Sequence, residues 1–200
     1  MPIGVDMPSK NGLDISLRHL ATHTSGLPRM PSDNWSPADP SNPYVDYTPE
    51  RMYCYLSGHV LEREPGSKKL YSNLGMGLLG HVLELRSGQT YEELLQNRIC
   101  KPLGMASTTC TPRAEVHGRV AGAHKGVLET SAWDFTGFTG AGAINSTAQD
   151  MLVFAAANLS VVDSPVEVAM RDCRGSDVGD TALAWAVGKD ARGRYLTHSG

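Results

Sequence analysis

The longest helical pattern in this chain, from about Asn73 to Arg86, is stopped by Gly88, and every other helical pattern is shorter. That punctuation restricts the fold to short helices packed through apolar faces, with loops carrying much of the chain. Asp14 or Ser16 caps LRHLATH, which Gly26 and Pro28 end. Residues 28–48, with Pro28, Pro31, Pro37, Pro40 and Pro43, form a long loop. Thr48-Pro49 opens a helix that runs to about Leu56. In the longest helix Leu74, Leu78, Leu79, Val82 and Leu83 share one broad face. Thr90 and Glu93 make a capping box before Leu94, Leu95 and Ile99, and PLGM at 102–105 turns the chain out. Residues 113–145 are rich in Gly and small side chains and read as loops and short strands. Ser146-Thr-Ala-Gln149 reads as another capping box ahead of MLVFAAANL, and Ser164 to Glu167 caps one more short helix. Only the last twenty residues change character: ALAWAVG and GRYLTHSG around KDAR read as a β-hairpin. The class is therefore α+β.

Composition removes whole groups of functions. A formal charge of -3, spread without a basic stripe, excludes nucleic acid as a partner. No run approaches the ~18 apolar residues of a membrane span, and the N-terminal residues lack the basic and apolar regions of a signal peptide. Cys54, Cys100, Cys110 and Cys173 contain no CxxC pair, so neither a zinc ribbon nor a redox dithiol is encoded, and they read as free thiols.

Three motifs fail on their context. Gly75-Met-Gly-Leu-Leu-Gly80 matches the dinucleotide fingerprint, but KKLYSN before it is too short and charged for a buried strand. Its glycines instead let a helix pack closely. His19 and His23 stand one helical turn apart without the glutamate or third ligand of a zinc site. A GxSxG elbow occurs nowhere.

Tyr71-Ser72-Asn73 opens the longest helix, and alone it reads as a cap beside a buried tyrosine. It stands, however, in a series: LRHLATHTSGLP, then PGSKKLYSNLGMGLLGHVLELRSGQTYEELLQNRICKPLGM, then GAGAINSTAQDM, then HSG. In order and spacing these segments resemble the serine hydrolases of the class C β-lactamase family, which includes D-alanyl-D-alanine carboxypeptidases, penicillin-binding proteins, D-aminopeptidases and esterases. The resemblance covers residues 14–200. It implies the β-lactamase/DD-peptidase architecture, a helical region (about 14–160) against an antiparallel sheet. Residues 180–200 supply part of that sheet.

The family's motifs are Ser-x-x-Lys, Tyr-x-Asn and Lys/His-x-Gly. By position Tyr71 and Asn73 match the second, and His198 and Gly200 the third. No serine here is followed three residues later by lysine. The chain therefore reads as an internal fragment, partial at both ends and by itself inactive, of an enzyme that forms an acyl-serine.

The resemblance implies roles for what remains. Tyr71 shares the base role with the absent lysine, since a phenol with an ordinary pKa near 10 needs a nearby cation to give up its proton. Asn73 bonds the lysine or a substrate carbonyl, and His198 orients Tyr71 or meets a substrate carboxylate. Gly200 lies on the substrate strand, with one oxyanion donor just beyond it. Residues 23–26 read as scaffold, Gly140–Gly142 as room for the cleft, and Trp35, Tyr44 and Tyr47 as the substrate side. The substrate is a β-lactam, a peptidoglycan-type D-amino-acid peptide or a small ester. No metal or cofactor is implied, and the relatives' habit of export implies a periplasmic or secreted protein. A non-catalytic binding or scaffold protein with the same fold is the alternative.

Overall fold

The computed structural model describes residues 5–32, 36–111, 118–160, 164–175 and 181–198. Trp35 and Gly200, named above, lie outside them. Helix α1 (Leu17–Ala21) is capped by Ser16, whose Oγ accepts the His19 amide while the His19 ring accepts the Ser16 amide. Thr48 caps α2 (Pro49–Gly58), with Pro49 in the first turn where its missing N–H costs nothing. Ser72 caps α3 (Asn73–Ser87) by accepting the Gly75 amide at 2.8 Å, and Gly88 closes the helix at φ 67°. The Thr90–Glu93 box forms as expected and opens α4 (Tyr91–Leu95), which runs through a wider turn, Gln96–Cys100, into α5 (Lys101–Leu103).

Downstream, the structure amends the reading. One turn of helix, α6 (Thr139–Gly142), sits within the stretch read as loop and strand, after a two-stranded hairpin of Ala123–Lys125 and Leu128–Thr130. Thr147, not Ser146, caps α7 (Ala148–Asn158) through the Asp150 amide, because Ser146 is taken by a 2.7 Å bond to the Thr108 hydroxyl. A further helix, α8, spans Glu167–Gly175. An N-terminal hairpin, Ser9–Lys10 against Leu13–Asp14, turns on Asn11-Gly12, both at positive φ. This Asn-Gly signal for a tight β-turn was missed in the sequence. The C-terminal hairpin forms as expected: Trp185–Asp190 pairs antiparallel with Gly193–Thr197, and the short strand Thr181–Ala182 adds a third member.

The main core joins Leu20, Leu27, Met52, Leu56, Leu61, Leu74, Leu78 and Phe138 with Tyr47, which is wholly buried. Tyr47 packs its ring 4.7 Å from Phe138 and so belongs to the core rather than to a substrate wall. Tyr44 stacks on Phe135 at 5.1 Å, in an aromatic cluster with Trp133. The fingerprint glycines make the close packing expected of them. A β-carbon on Gly80 would stand 2.9 Å from the Gly140 Cα, so α3 and α6 touch backbone to backbone.

A second cluster, Leu95, Cys100 and Met105, docks against Val153 and Phe154 of α7. Buried Asp150 holds the junction: its carboxylate accepts the Ser107 amide at 2.8 Å and the Thr108 hydroxyl at 2.7 Å. Asp150→Ala orphans the Ser107 amide and leaves the Thr108 hydroxyl only Ser146, and bonds to charged acceptors contribute about 1.5–3 kcal/mol each. A loss of roughly 3 kcal/mol in urea unfolding is expected, and Asp150→Asn, which keeps one acceptor, should lose less. An Asp150→Ala protein of unchanged stability would show that the junction is held by packing alone. The cysteines are free, as read, although Cys54 is exposed. Burial, with Glu92 nearby, pushes the Cys110 thiol up to about 12, so it stays protonated.

Candidate active site

Tyr71 sits in the extended residue pair that leads into α3, one residue before the cap. The cap fixes that approach: the Ser72 hydroxyl donates to the Pro28 carbonyl at 2.6 Å, and the Asn73 amide donates to the Arg29 carbonyl at 3.0 Å. The segment 28–30 therefore runs alongside 71–73. Tyr71 keeps 37% of its surface exposed. His198 arrives from the other end of the chain, one residue past the strand Gly193–Thr197. The sheet is tied to the helices by the Ala184 amide, which donates to the Ala21 carbonyl at 2.8 Å, and by the Leu183 amide to Cys173 at 3.1 Å.

Tyr71 and His198 meet at two cavities. The larger, about 480 Å³, is mostly apolar, with Leu95, Met105, Phe154 and the small residues Gly140–Gly142 in its walls. Gly140–Gly142 thus face the cleft, as their small size suggested. The smaller, about 130 Å³, is lined by His23, Lys69, Tyr71, Trp185, Thr197 and His198. Asn73 lines neither cavity. It lies half-buried beside Met30, its amide donating toward the Met30 sulfur at 3.6 Å. Two of the expected site residues are therefore brought together, and the third lies beside Met30.

Three neighbours of Tyr71 were not read as site residues. The Arg29 guanidinium lies 5.3 Å from the centre of the Tyr71 ring, at cation–π distance. Lys69 shares the smaller cavity. His23, read as scaffold, packs its ring 4.6 Å from that of Tyr71. Burial first, then the charges of Lys69 and His198, hold the His23 imidazole down at about 4. His23 and Lys69 stand within segments that carry the resemblance, but nothing in their residue types separates them, or Arg29, from ordinary loop polar groups. Only the fold collects them. Among the described residues no three His, Cys, Asp or Glu side chains gather as metal ligands, and no helix is long and apolar enough to cross a membrane.

The comparisons with known proteins agree on one group. The family model described as Beta-lactamase matches residues 2–200. The chain is 37% identical over 151 residues to the D-alanyl-D-alanine-carboxypeptidase/endopeptidase AmpH of Escherichia coli K12. That match covers 76% of this chain and 38% of the relative, so the chain spans well under half of that protein's length. Among solved structures, the beta-lactamase/D-alanine carboxypeptidase from Yersinia pestis, complexed with citrate, superposes with a TM-score of 0.77 at 28% identity, covering 98% of this chain and 60% of that one. A class C beta-lactamase from Rhodobacter sphaeroides gives 0.72 at 24% identity over 90% of this chain and 51% of its own, a likeness of fold. The architecture is thus that of these enzymes, helices with small antiparallel sheets.

Proposed function

This chain belongs to the beta-lactamase family, and we propose that it is the part of a serine hydrolase that carries the proton-transfer tyrosine and the substrate-side strand of an acyl-enzyme reaction. Residues about 14–160 are its helical part and 180–200 part of its sheet. The observation that carries the reading is the meeting of Tyr71 and His198, distant in sequence, at the walls of the same two cavities. A scaffold protein has no need of that pairing.

In the proposed reaction a serine oxygen bonds to the carbonyl carbon of an amide, lactam or ester, and its proton passes to Tyr71. The carbon–nitrogen or carbon–oxygen bond then breaks, and Tyr71 returns the proton to the leaving atom. Water releases the acyl group by the same steps in reverse. Arg29 and Lys69 bring positive charge to the neighbourhood in which the phenol carries negative charge. Asn73 bonds the lysine or a substrate carbonyl, and His198 faces the substrate. The nucleophile and its lysine lie outside these 200 residues, a view supported by the absence of Ser-x-x-Lys and by the 38% coverage of the carboxypeptidase relative. Acting on peptidoglycan-type peptides places the enzyme in the periplasm or outside the cell.

His198 also ranks the substrates. Lysine at this position is a fixed cation for a β-lactam carboxylate, whereas histidine offers ring nitrogens rather than a permanent charge. Hydrolysis of a D-Ala-D-Ala peptide or a p-nitrophenyl ester should exceed that of nitrocefin in kcat/KM when the three are compared on one enzyme preparation. Nitrocefin as the best substrate by a clear margin would defeat the ranking.

A further inference from the structure

One residue touches all three positions around the phenol. The His23 carbonyl accepts the Leu70 amide at 2.7 Å, its Nδ1 accepts the Ser72 amide at 3.2 Å, and its ring packs against Tyr71 between them. We propose that His23 is the positioning residue for Tyr71, a clamp that holds residues 70–72 and keeps the phenol in the wall it shares with His198. The inference rests on the acyl-transfer reading above and adds a residue to it.

The need for a clamp follows from the site. Tyr71 is more than a third exposed, and among the described residues its hydroxyl makes no hydrogen bond. Among the described residues the direction of the side chain is set by the backbone and by the two groups against its ring, His23 and Arg29. A misplacement of about 1 Å costs proton transfer heavily. His23 itself is held in an unusual state. Its φ is 57°, a left-handed conformation that a residue with a β-carbon seldom adopts. The next residue, Thr24, anchors the turn by accepting the Gly66 amide at 2.7 Å.

Because Nδ1 is an acceptor, the neutral ring carries its proton on Nε2. Burial first opposes a second proton; among the described residues the groups that face the ring are Tyr71, Lys69 and His198, with Arg29 across the phenol, and positive charge among them adds to that. A ring whose Nδ1 is occupied by the backbone, and which stays neutral, is not the base. It acts through Tyr71.

Long-range proton–nitrogen NMR on histidine-labelled protein tests the clamp directly. His23 should show an unprotonated Nδ1 and a protonated Nε2, unchanged from about pH 8 to about pH 5. Two variants separate the contacts. His23→Asn suits a positive φ and offers an oxygen near the place of Nδ1, while His23→Gly keeps the backbone alone. Exchange of the Ser72 amide should stay slow in the first and quicken about tenfold or more in the second, with Leu70 protected in both. In turnover both variants should lose roughly 10–100-fold in kcat with KM within about twofold, and the limbs of the pH profile should not move.

A His23 that titrates near its ordinary value with the proton on Nδ1 would overturn the clamp. So would unchanged Ser72 exchange in His23→Gly, or wild-type kcat in both variants. Loss of a pH limb would make His23 the base instead. The NMR and exchange readings need no substrate, so an enzyme containing this chain together with its Ser-x-x-Lys segment that turns nothing over overturns the acyl-transfer reading while the clamp is still decided.

Discussion

Replacing Tyr71 by Phe in the enzyme that contains this chain is expected to lower kcat by roughly 10²–10⁴-fold, the usual contribution of a general acid–base group. The substitution removes one oxygen. The ring contacts with His23 and with the Arg29 guanidinium persist, and the hydroxyl gives up no hydrogen bond to a described residue. Stability should therefore hardly change, and the melting temperature should stay within about 2 °C, less than 1 kcal/mol produces in a chain of this length. The pairing of a large kinetic loss with an intact fold is what distinguishes a chemical role from a packing one. KM should change little, because a phenol that moves a proton stabilises the transition state more than bound substrate. Steady-state kinetics beside a thermal melt gives both numbers. A Tyr71→Phe enzyme of near-normal kcat would remove the residue from the mechanism and leave His198 facing a cleft without a proton carrier.

The parts of this molecule that sequence reveals are those decided within a few residues. The Ser16, Thr48 and Thr90 caps, the Gly88 stop and the C-terminal hairpin follow from local chemistry, and the structure has them where that chemistry puts them. Where two local options compete, long-range partners decide. Ser146 and Thr147 are equal candidates for the α7 cap until Thr108 takes the Ser146 hydroxyl. Tyr47 looks like a loop aromatic until Phe138, far along the chain, buries it. The site follows the same rule. Tyr71 and His198 were legible only through the family's motif order, since no local pattern links residues so far apart. His23, Lys69 and Arg29 were not legible as site residues, because their proximity to the phenol comes from how segments 21–30 and 69–73 run side by side. Asn73 shows the converse: its motif match is plain, yet its side chain points its bond toward Met30 and lines neither cavity.

Gly80→Val is expected to destabilise the protein by about 3 kcal/mol or more, whereas Gly58→Ala should be neutral or slightly stabilising. Both glycines lie in helices, where glycine is about 1 kcal/mol worse than alanine, so propensity alone favours replacing either. The surroundings reverse the sign at one of them. A β-carbon on Gly58 meets nothing within 4 Å. One on Gly80 meets the Gly140 Cα at 2.9 Å and its nitrogen at 3.1 Å, with the Tyr91 ring also at 3.1 Å. The first two are backbone atoms and have no rotamer to escape into, so α3 and α6 must separate. Overpacking of a close-packed contact costs typically 1–3 kcal/mol, and the two γ-carbons of valine add to it. At roughly 2–4 °C per kcal/mol for a chain of this size, a fall of about 6–12 °C in melting temperature follows. The displacement reaches the site as well, since Gly140–Gly142 wall the larger cavity with Tyr71. Unlike Tyr71→Phe, Gly80→Val should therefore lower stability and turnover together. A Gly80→Val protein that melts like its parent would mean that α3 and α6 do not touch.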